Sequence, residues 1–332
     1  MKKLIAIAKL TTSCPGNCKG CVTRQEWFAK KCGNRTVMSL QMFKMLCDEV
    51  QRLEGKYICL SGGEPTILPN LEEYIAIAKA SGLIVRLNTN GWLVTYENLK
   101  KWVNAGLNQI VLSVYGLAYD EVLQLRGNGE IYTRCVQALD AVSKLKNESP
   151  SSFLSFFQTI IMYDNYMKIP QLFETAMQKS FDVFWPSYLE DAFECDSEIM
   201  RPEDIKKFQA ICVPKMYEIA KSFIREPAIL SQVNTQLKKY YAESFYEGGI
   251  YHKKNYVCSL VGQYVYVYPN GVVYPCPGHE YFVSDCCVDL SKGDKLSEIY
   301  KFCNSKFDFC QYCAQGKHIG INLSSEYIDE HS

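Results

Sequence analysis

Three cysteines within eight residues place the strongest constraint on this chain. The stretch Cys14-Pro15-Gly16-Asn17-Cys18-Lys19-Gly20-Cys21 has the spacing C-x3-C-x2-C. Thiolates are soft ligands that select iron–sulfur clusters, zinc or Cu(I). A structural zinc site uses four ligands, often as paired C-x2-C knuckles, and no fourth Cys or His follows nearby. We therefore favour a four-iron cluster in which three thiolates leave one iron open, over a group of buried thiols or an incomplete zinc site.

A second motif follows a short apolar stretch. Ser61-Gly62-Gly63-Glu64-Pro65 comes directly after Tyr57-Ile58-Cys59-Leu60. Two glycines allow a close backbone approach, and a carboxylate can receive an ammonium group. In this order and spacing, the two motifs resemble those of the radical SAM superfamily, and the similarity extends over roughly residues 4–190.

The resemblance implies a cofactor site for S-adenosylmethionine (AdoMet). The cluster that binds AdoMet would be held by Cys14, Cys18 and Cys21. AdoMet itself would be contacted by Gly62, Gly63, Glu64, Ser113, Gln158 and the backbone of Gly20. Gly20 stands where many family members have an aromatic residue, but that position usually acts through its backbone.

Short apolar runs alternate with amphipathic stretches through the first half of the chain. The runs predict strands at Ile5–Leu10, Tyr57–Leu60, Leu83–Leu87, Gln109–Val114, Phe153–Ile161 and Phe181–Trp185. The amphipathic stretches predict helices at Ser39–Arg52, Asn70–Ala80, Glu97–Ala105, Glu130–Leu145 and Ile169–Gln178. This alternation predicts an α/β fold with a parallel sheet. Six units match the partial (β/α)6 barrel that the resemblance implies.

A second set of cysteines lies near the end of the chain. Cys258, Gly271 and Cys276 have the spacing C-x12-G-x4-C around a predicted β-hairpin that turns at Pro269-Asn270-Gly271. A C-x2-C pair, Cys310 and Cys313, follows. These features resemble the SPASM and Twitch auxiliary-cluster domains. The resemblance implies a small α+β domain whose four thiolates bind one further 4Fe–4S cluster.

Two alternatives remain at this second site. A structural zinc ion would be satisfied by the same four thiolates. One of three further cysteines could replace a ligand, namely Cys286, Cys287 or Cys303.

A chain of 332 residues is long enough for two domains. We predict a barrel over residues 1–190, a helical linker over 191–255 that includes helices at Pro202–Phe223 and Ile229–Tyr246, and an auxiliary-cluster domain over 256–332.

Composition argues against some partners. Lys plus Arg and Asp plus Glu balance at 36 each, whereas nucleic-acid binding usually needs a basic face. No apolar run is long enough to span a membrane. The chain has 16 cysteines and no signal peptide, which favours the reducing cytoplasm over a disulfide-rich secreted protein.

The resemblance implies an oxidoreductase or maturase in which AdoMet is cleaved reductively to a 5′-deoxyadenosyl radical that abstracts hydrogen from a substrate carbon. The auxiliary cluster would relay electrons, and a flavodoxin- or ferredoxin-type protein would supply them. Relatives with such domains favour a ribosomal peptide or protein as the substrate, which would be oxidised, cross-linked or epimerised. The alternatives are a dehydrogenase or epimerase of a small molecule such as an aminocyclitol, sugar or nucleotide, and a non-catalytic iron–sulfur electron carrier.

Four further residues are weaker candidates. Epimerisation needs a thiol that returns hydrogen, and Cys195 or Cys212 could supply it, although a free cysteine is more often a small buried apolar residue. Asn90 precedes a glycine, and an Asn-Gly turn is its simpler interpretation. Arg126 could pair with a carboxylate, either of a ligand or of the protein itself.

Overall fold

Six parallel strands form the centre of the molecule. The computed structural model describes residues 4–33, 36–189, 199–239, 263–275, 288–301 and 321–323. The six strands are β1 (Ile5–Thr11), β2 (Tyr57–Gly62), β3 (Ile84–Thr89), β4 (Leu107–Ser113), β5 (Leu154–Ile161) and β6 (Val183–Tyr188). They lie side by side in chain order, and every neighbouring pair is parallel. The predicted α/β fold with a six-stranded parallel sheet is confirmed.

Seven described α-helices connect these strands. They are α1 (Glu26–Cys32), α2 (Leu40–Arg52), α3 (Leu71–Ala80), α4 (Tyr96–Ala105), α5 (Tyr119–Arg126), α6 (Glu130–Glu148) and α7 (Ile169–Gln178). Five of them, α2, α3, α4, α6 and α7, cover one face of the sheet. The Ser39 hydroxyl accepts a hydrogen bond from the Met42 amide at 3.2 Å, as expected of an N-cap. The sequence pattern did not predict α1 and α5, because each is short and buries only two or three side chains.

The two faces of the sheet have different environments. Side chains such as Leu60, Leu87 and Leu112 belong to the main hydrophobic core with the helices. Alternate residues point the other way, where Val111, Phe156, Val183, Leu154 and Trp185 form a separate small cluster. The period of two along each strand therefore creates a second face, which α1 covers only beside β1, where Phe28 packs over Lys9.

A C-terminal hairpin extends the same sheet. Strand β7 (Tyr264–Val267) pairs in parallel with β1, and β8 (Val272–Tyr274) pairs with β7 in antiparallel fashion. A short strand β9 (Val288–Asp289) follows β8, and β10 (Ile321–Asn322) pairs with β6 at the opposite edge. The predicted hairpin is confirmed, and it makes β1 an internal strand.

The segment between barrel and hairpin is helical where it is described. The predicted helix Pro202–Phe223 consists of α8 (Pro202–Lys207), a π-helical turn (Phe208–Cys212) and α9 (Val213–Phe223). The second predicted helix corresponds to α10 (Pro227–Lys239). Cys212 is buried in this helical layer, where its Sγ lies 3.5 Å from the Tyr166 carbonyl oxygen.

The described parts of all three predicted segments share one core. Val265, Val273 and Leu296 belong to the same hydrophobic cluster as the barrel strands, and so do Val213 and Val233 of the helical segment. The boundaries at residues 190 and 255 remain predictions. Within the described ranges, no helix has the length and apolar character needed to cross a membrane.

Candidate functional site

The cysteine loop begins where β1 ends. Cys14, Cys18 and Cys21 are all half-buried. The Cys21 amide donates to the Cys18 carbonyl at 3.3 Å, so the last two cysteines share one tight turn. Gly20 lies within this turn with a φ of 65°, a left-handed conformation that favours glycine. This backbone geometry favours glycine at position 20.

The Gly62-Gly63 backbone lies directly against this loop. The Gly63 amide donates to the Thr11 carbonyl at 2.6 Å, and the Glu64 amide donates to the Ser13 carbonyl at 2.8 Å. A Cβ atom on Gly63 would lie 2.1 Å from the Ser13 oxygen. The two sequence motifs are therefore joined main chain to main chain, at a separation that only glycine permits.

Glu64 fixes the end of β2 to the end of β3. Its Oε1 accepts hydrogen bonds from the Thr66 hydroxyl at 2.6 Å, the Thr66 amide at 3.1 Å and the Thr89 hydroxyl at 2.6 Å. Its Oε2 accepts from the Asn90 amide at 2.7 Å. Burial raises the pKa of this carboxyl, and the four hydrogen bonds oppose that effect. Both carboxylate oxygens thus have partners within the chain, and contact between Glu64 and an AdoMet amine remains a prediction.

The sequence analysis missed the two threonines that hold Glu64. Thr66 and Thr89 are both almost completely buried, and each follows a strand of the sheet closely or ends it. Both threonines lie near the ends of neighbouring predicted strands. This position could have indicated a role in the site, because the carboxyl ends of parallel strands meet at one edge.

Each of the three sulfur atoms has a polar group within hydrogen-bond distance. The donors and their distances are the Gly16 amide at 3.4 Å and Asn90 Nδ2 at 3.6 Å from Cys14 Sγ, and Arg126 Nε at 3.4 Å from Cys18 Sγ. Cys21 Sγ lies 3.1 Å from the Thr23 hydroxyl. Hydrogen bonds to sulfur stabilise the thiolate form that binds metal.

Two of these donors, Asn90 and Arg126, are residues that the sequence analysis named as weaker candidates. Asn90 forms the expected turn, since its Oδ1 accepts from the Trp92 amide at 2.9 Å, but its Nδ2 also faces Cys14. The guanidinium of Arg126 donates to Cys18 and, from Nη1, to the Ser113 carbonyl at 2.7 Å. A contact between Arg126 and a carboxylate of a ligand remains a prediction.

Ser113, at the end of β4, lies beside Gln158 in the middle of β5. They are directly paired in the sheet, and Ser113 Oγ lies 3.4 Å from Gln158 Oε1. Three buried polar atoms of the sheet, Asn88 Oδ1, Thr159 Oγ1 and Trp185 Nε1, have no hydrogen-bond partner among the described residues. Unsatisfied polar atoms are rare inside proteins and are compatible with a site for a polar ligand.

The donor set of the loop, three half-buried thiols, fits an iron–sulfur cluster, whose usual ligands are cysteine thiolates. Burial raises the pKa of the Cys14 thiol to about 11, so metal binding there must release a proton.

Several predicted site residues lie outside the described ranges. They are the hydrogen-donor candidate Cys195, the auxiliary ligands Cys258, Cys276, Cys310 and Cys313, and their alternatives Cys286, Cys287 and Cys303. The other thiol candidate, Cys212, is described and lies in the outer helical layer, away from the cysteine loop's contacts.

Comparisons with known proteins agree with this geometry. The family model of the radical SAM superfamily matches residues 9–175, which is half of the 332-residue chain. The chain is 30% identical over 116 residues to the Fe-coproporphyrin III synthase of Methanosarcina barkeri, covering 35% of this chain and 28% of that protein. It is 29% identical over 106 residues to the mycofactocin maturase MftC of Mycolicibacterium smegmatis, covering 32% and 27%.

A solved structure shows the same fold over most of the chain. SuiB of Streptococcus suis, bound to its precursor peptide SuiA, aligns with a TM-score of 0.64 and 14% identity, covering 95% of this chain and 70% of that one. The matched region spans about a quarter of the length of the two curated relatives.

Proposed function

The chain belongs to the radical SAM superfamily, and we propose from this that Cys14, Cys18 and Cys21 hold a 4Fe–4S cluster whose open iron binds AdoMet. The observation that carries the proposal is the cysteine loop bonded to the Gly62-Gly63 backbone, with a donor close to each sulfur. When bound, the cluster and AdoMet would supply a 5′-deoxyadenosyl radical that removes hydrogen from an unactivated carbon.

The chain's own residues would orient AdoMet. The Gly62-Gly63 backbone leaves no room for a side chain beside the loop, so the AdoMet amine would approach main-chain atoms there. Glu64 would keep that backbone in place through its bonds to Thr66, Thr89 and Asn90. Ser113 at the end of β4 and Gln158 on β5 would contact the ribose or carboxylate. The second sheet face, which lies opposite α2, α3, α4, α6 and α7, would receive the substrate.

We assign the substrate to the class of ribosomal peptides or proteins, which would be oxidised, cross-linked or epimerised. Support comes from the similarity to a mycofactocin maturase and from the shared fold with SuiB, a protein solved with a precursor peptide. A small-molecule substrate is the second candidate, and the similarity to Fe-coproporphyrin III synthase favours it.

An auxiliary 4Fe–4S cluster at Cys258, Cys276, Cys310 and Cys313 completes the proposal. Its support is the Twitch-like spacing and the described hairpin β7–β8, which lies between the first two of these cysteines. That cluster would relay electrons in an oxidoreductase or maturase reaction, and a flavodoxin- or ferredoxin-type protein would be the electron donor.

Anaerobic reconstitution tests the cofactor assignment. We expect about eight irons per chain in the wild type and about four in a Cys14/Cys18/Cys21→Ala variant, with 5′-deoxyadenosine formed from AdoMet and dithionite only by the wild type. A Cys47/Cys59/Cys212→Ala variant removes three buried thiols outside the loop and should behave as the wild type. If the wild type binds four irons and one zinc, the second cysteine set holds a zinc ion instead of an auxiliary cluster. A variant that retains all its iron and its deoxyadenosine would refute the assignment of the loop.

Deuterium transfer tests the substrate class. Extract from the source organism grown in deuterated medium is separated by size and incubated with the reconstituted enzyme, and deuterium is measured in 5′-deoxyadenosine. We expect that protease treatment of the active fraction abolishes the transfer of deuterium to 5′-deoxyadenosine. A protease-resistant donor of low mass would favour the small-molecule candidate instead.

A further inference from the structure

The C-terminal end of α5 holds the middle of the cysteine loop. The Asn17 amide donates to the Arg126 carbonyl at 2.8 Å, and the Lys19 amide donates to the Leu125 carbonyl at 3.1 Å. Asn128 Nδ2 adds a bond to the Pro15 carbonyl at 3.0 Å. The residues on both sides of Cys18 are therefore fixed by one helix end.

The side chain of Arg126 is held in a single position beside Cys18. Only 4% of the residue is exposed. Its Nη1 donates to the Ser113 carbonyl at 2.7 Å, and its guanidinium carbon lies 4.6 Å from the centre of the Tyr115 ring. Its Nε then points at Cys18 Sγ at 3.4 Å. A planar guanidinium fixed on two sides can direct a third donor with little loss of entropy.

The donors at the three sulfurs differ in charge. Asn90 at Cys14 and Thr23 at Cys21 are neutral, whereas Arg126 at Cys18 carries a full positive charge. A buried charge acts strongly because little solvent screens it. Hydrogen bonds to the sulfurs and the local charge set the reduction potential of an iron–sulfur cluster.

We propose that Arg126 is a positioning residue that raises the reduction potential of the cluster held by Cys14, Cys18 and Cys21. It acts through the Cys18 sulfur, because reduction adds negative charge to the cluster and a fixed cation beside a ligand stabilises the reduced form. The inference rests on the proposed function and adds to it a residue that controls how easily the cluster accepts its electron.

The test is a redox titration followed by electron paramagnetic resonance on reconstituted full-length protein. Arg126→Gln removes the charge, and Arg126→Lys keeps it without the planar group. Arg134→Gln is the matched control, since Arg134 lies one helix later, pairs with Glu130 at 3.0 Å and is partly exposed. The signal absent from the Cys14/Cys18/Cys21→Ala variant identifies the cluster to be titrated.

We expect Arg126→Gln to lower the midpoint potential by at least the equivalent of a tenfold change in the reduction equilibrium, about 59 mV for one electron. Arg126→Lys should recover most of the shift, and Arg134→Gln should match the wild type. An unchanged potential in Arg126→Gln with full iron content would overturn the proposal, and so would an equal shift in Arg134→Gln.

Cluster loading and the cysteine-dependent signal distinguish a failure of the Arg126 proposal from a failure of the proposed function. If Arg126→Gln loads no cluster, Arg126→Met, which is also uncharged and can pack against the Tyr115 ring, is titrated in its place. A lowered potential in that variant supports the proposal, and an unchanged potential overturns it. If the wild type shows no signal that depends on the three cysteines, the proposed function fails rather than the role of Arg126.

Discussion

At the scale of single residues, the site depends on backbone contacts so close that only glycine fits between them. Gly63 is the sharpest case, because its amide bonds to Thr11 while its α-carbon faces the Ser13 carbonyl. The sequence motif correctly placed glycine beside the loop. It did not reveal that the close partner is the loop's own backbone, since a contact between distant parts of the chain has no local signature.

Gly63→Ala should destabilise the protein by about 3 kcal/mol or more and reduce the iron that the loop retains. The new Cβ would lie 2.1 Å from the Ser13 oxygen, and overpacking against backbone cannot be relieved by a rotamer change. Urea unfolding and iron analysis measure the two effects. Gly82→Ala is the control, because Gly82 has a φ of 72° and no atom near its Cβ position, so only about 1–2 kcal/mol of backbone strain is expected. Equal losses in both variants would contradict the steric explanation.

Lys9 is a residue whose environment the sequence did not predict. It lies on β1 with 5% exposure, and its Nζ is 4.7 Å from the Phe28 ring and 4.9 Å from the Tyr268 ring. Burial, opposed weakly by Cys32, lowers its pKa from 10.5 to about 7. Between these values the unfolded chain binds the proton that the folded chain has released, so stability rises with pH in that window.

Lys9→Met should remove this pH dependence. The stability of the wild type relative to the variant should rise by up to about 1.4 kcal/mol per pH unit above pH 7. Urea unfolding of the metal-free protein at pH 7, 8 and 9 under reducing conditions measures it. The exposed Lys44, which pairs with Asp48 at 2.7 Å, supplies the control Lys44→Met, whose difference from the wild type should stay constant. A constant difference for Lys9→Met would show that Lys9 stays protonated in the folded protein.

At the scale of elements, the alternation of strands and helices was predictable and the short elements were not. All six parallel strands and five helices follow from hydrophobic periodicity, which is strong in long elements that bury one face. The π-helical turn at Phe208–Cys212 and the two-residue strands β9 and β10 depend on tertiary contacts instead. The spacing of the cysteines predicted the loop. Its attachment to α5 could not be predicted, because the sequence pattern did not indicate α5.

One buried ion pair joins α6 to the start of β6. Lys146 Nζ lies 3.0 Å from Asp182 Oδ1, and both side chains are less than a tenth exposed. Asp182 Oδ2 accepts from the Ser155 amide at 2.7 Å and from its hydroxyl at 2.8 Å. The pair thus connects α6, β5 and β6 at the end of the sheet opposite the cysteine loop.

Asp182→Ala should destabilise the protein by about 3–5 kcal/mol, because it leaves Lys146 charged and without its buried carboxylate. A Lys146→Met/Asp182→Leu double variant should recover much of that loss, since no isolated charge remains. Thermal unfolding of the three proteins gives the comparison. A double variant as unstable as Asp182→Ala would mean that the hydrogen bonds to Ser155, rather than the charge balance, dominate.

At the scale of the whole molecule, the described C-terminal hairpin is continuous with the barrel. β7 pairs with β1 from Ile5 to Ala8, and Val265 is completely buried in the common core. A shared sheet and a shared core predict that barrel and hairpin unfold together. Sequence alone indicated a hairpin but not its neighbour, because strand pairing across more than 250 residues depends on the packing of the whole sheet.

Val265→Ala should therefore lower the stability of the entire chain by about 2 kcal/mol. Unfolding followed by tryptophan fluorescence and by far-UV circular dichroism should give one coincident transition, shifted equally by both probes. Leu60→Ala in β2 serves as the comparison from the barrel, with an expected loss of about 2–5 kcal/mol in the same transition. Two separate transitions, only one of which responds to Val265→Ala, would assign hairpin and barrel to independent units.

The main-chain bonds between the glycine motif and the cysteine loop have a consequence for sequence variation. Thr11 and Ser13 offer Gly63 and Glu64 their carbonyl oxygens, which every amino acid possesses. Side chains at 12 and 13 are therefore open to exchange, whereas Gly62 and Gly63 admit no side chain at all. A saturation library across both segments should return many amino acids at positions 12 and 13 and glycine alone at 62 and 63. The two segments share one contact, but only the first of them tolerates substitution.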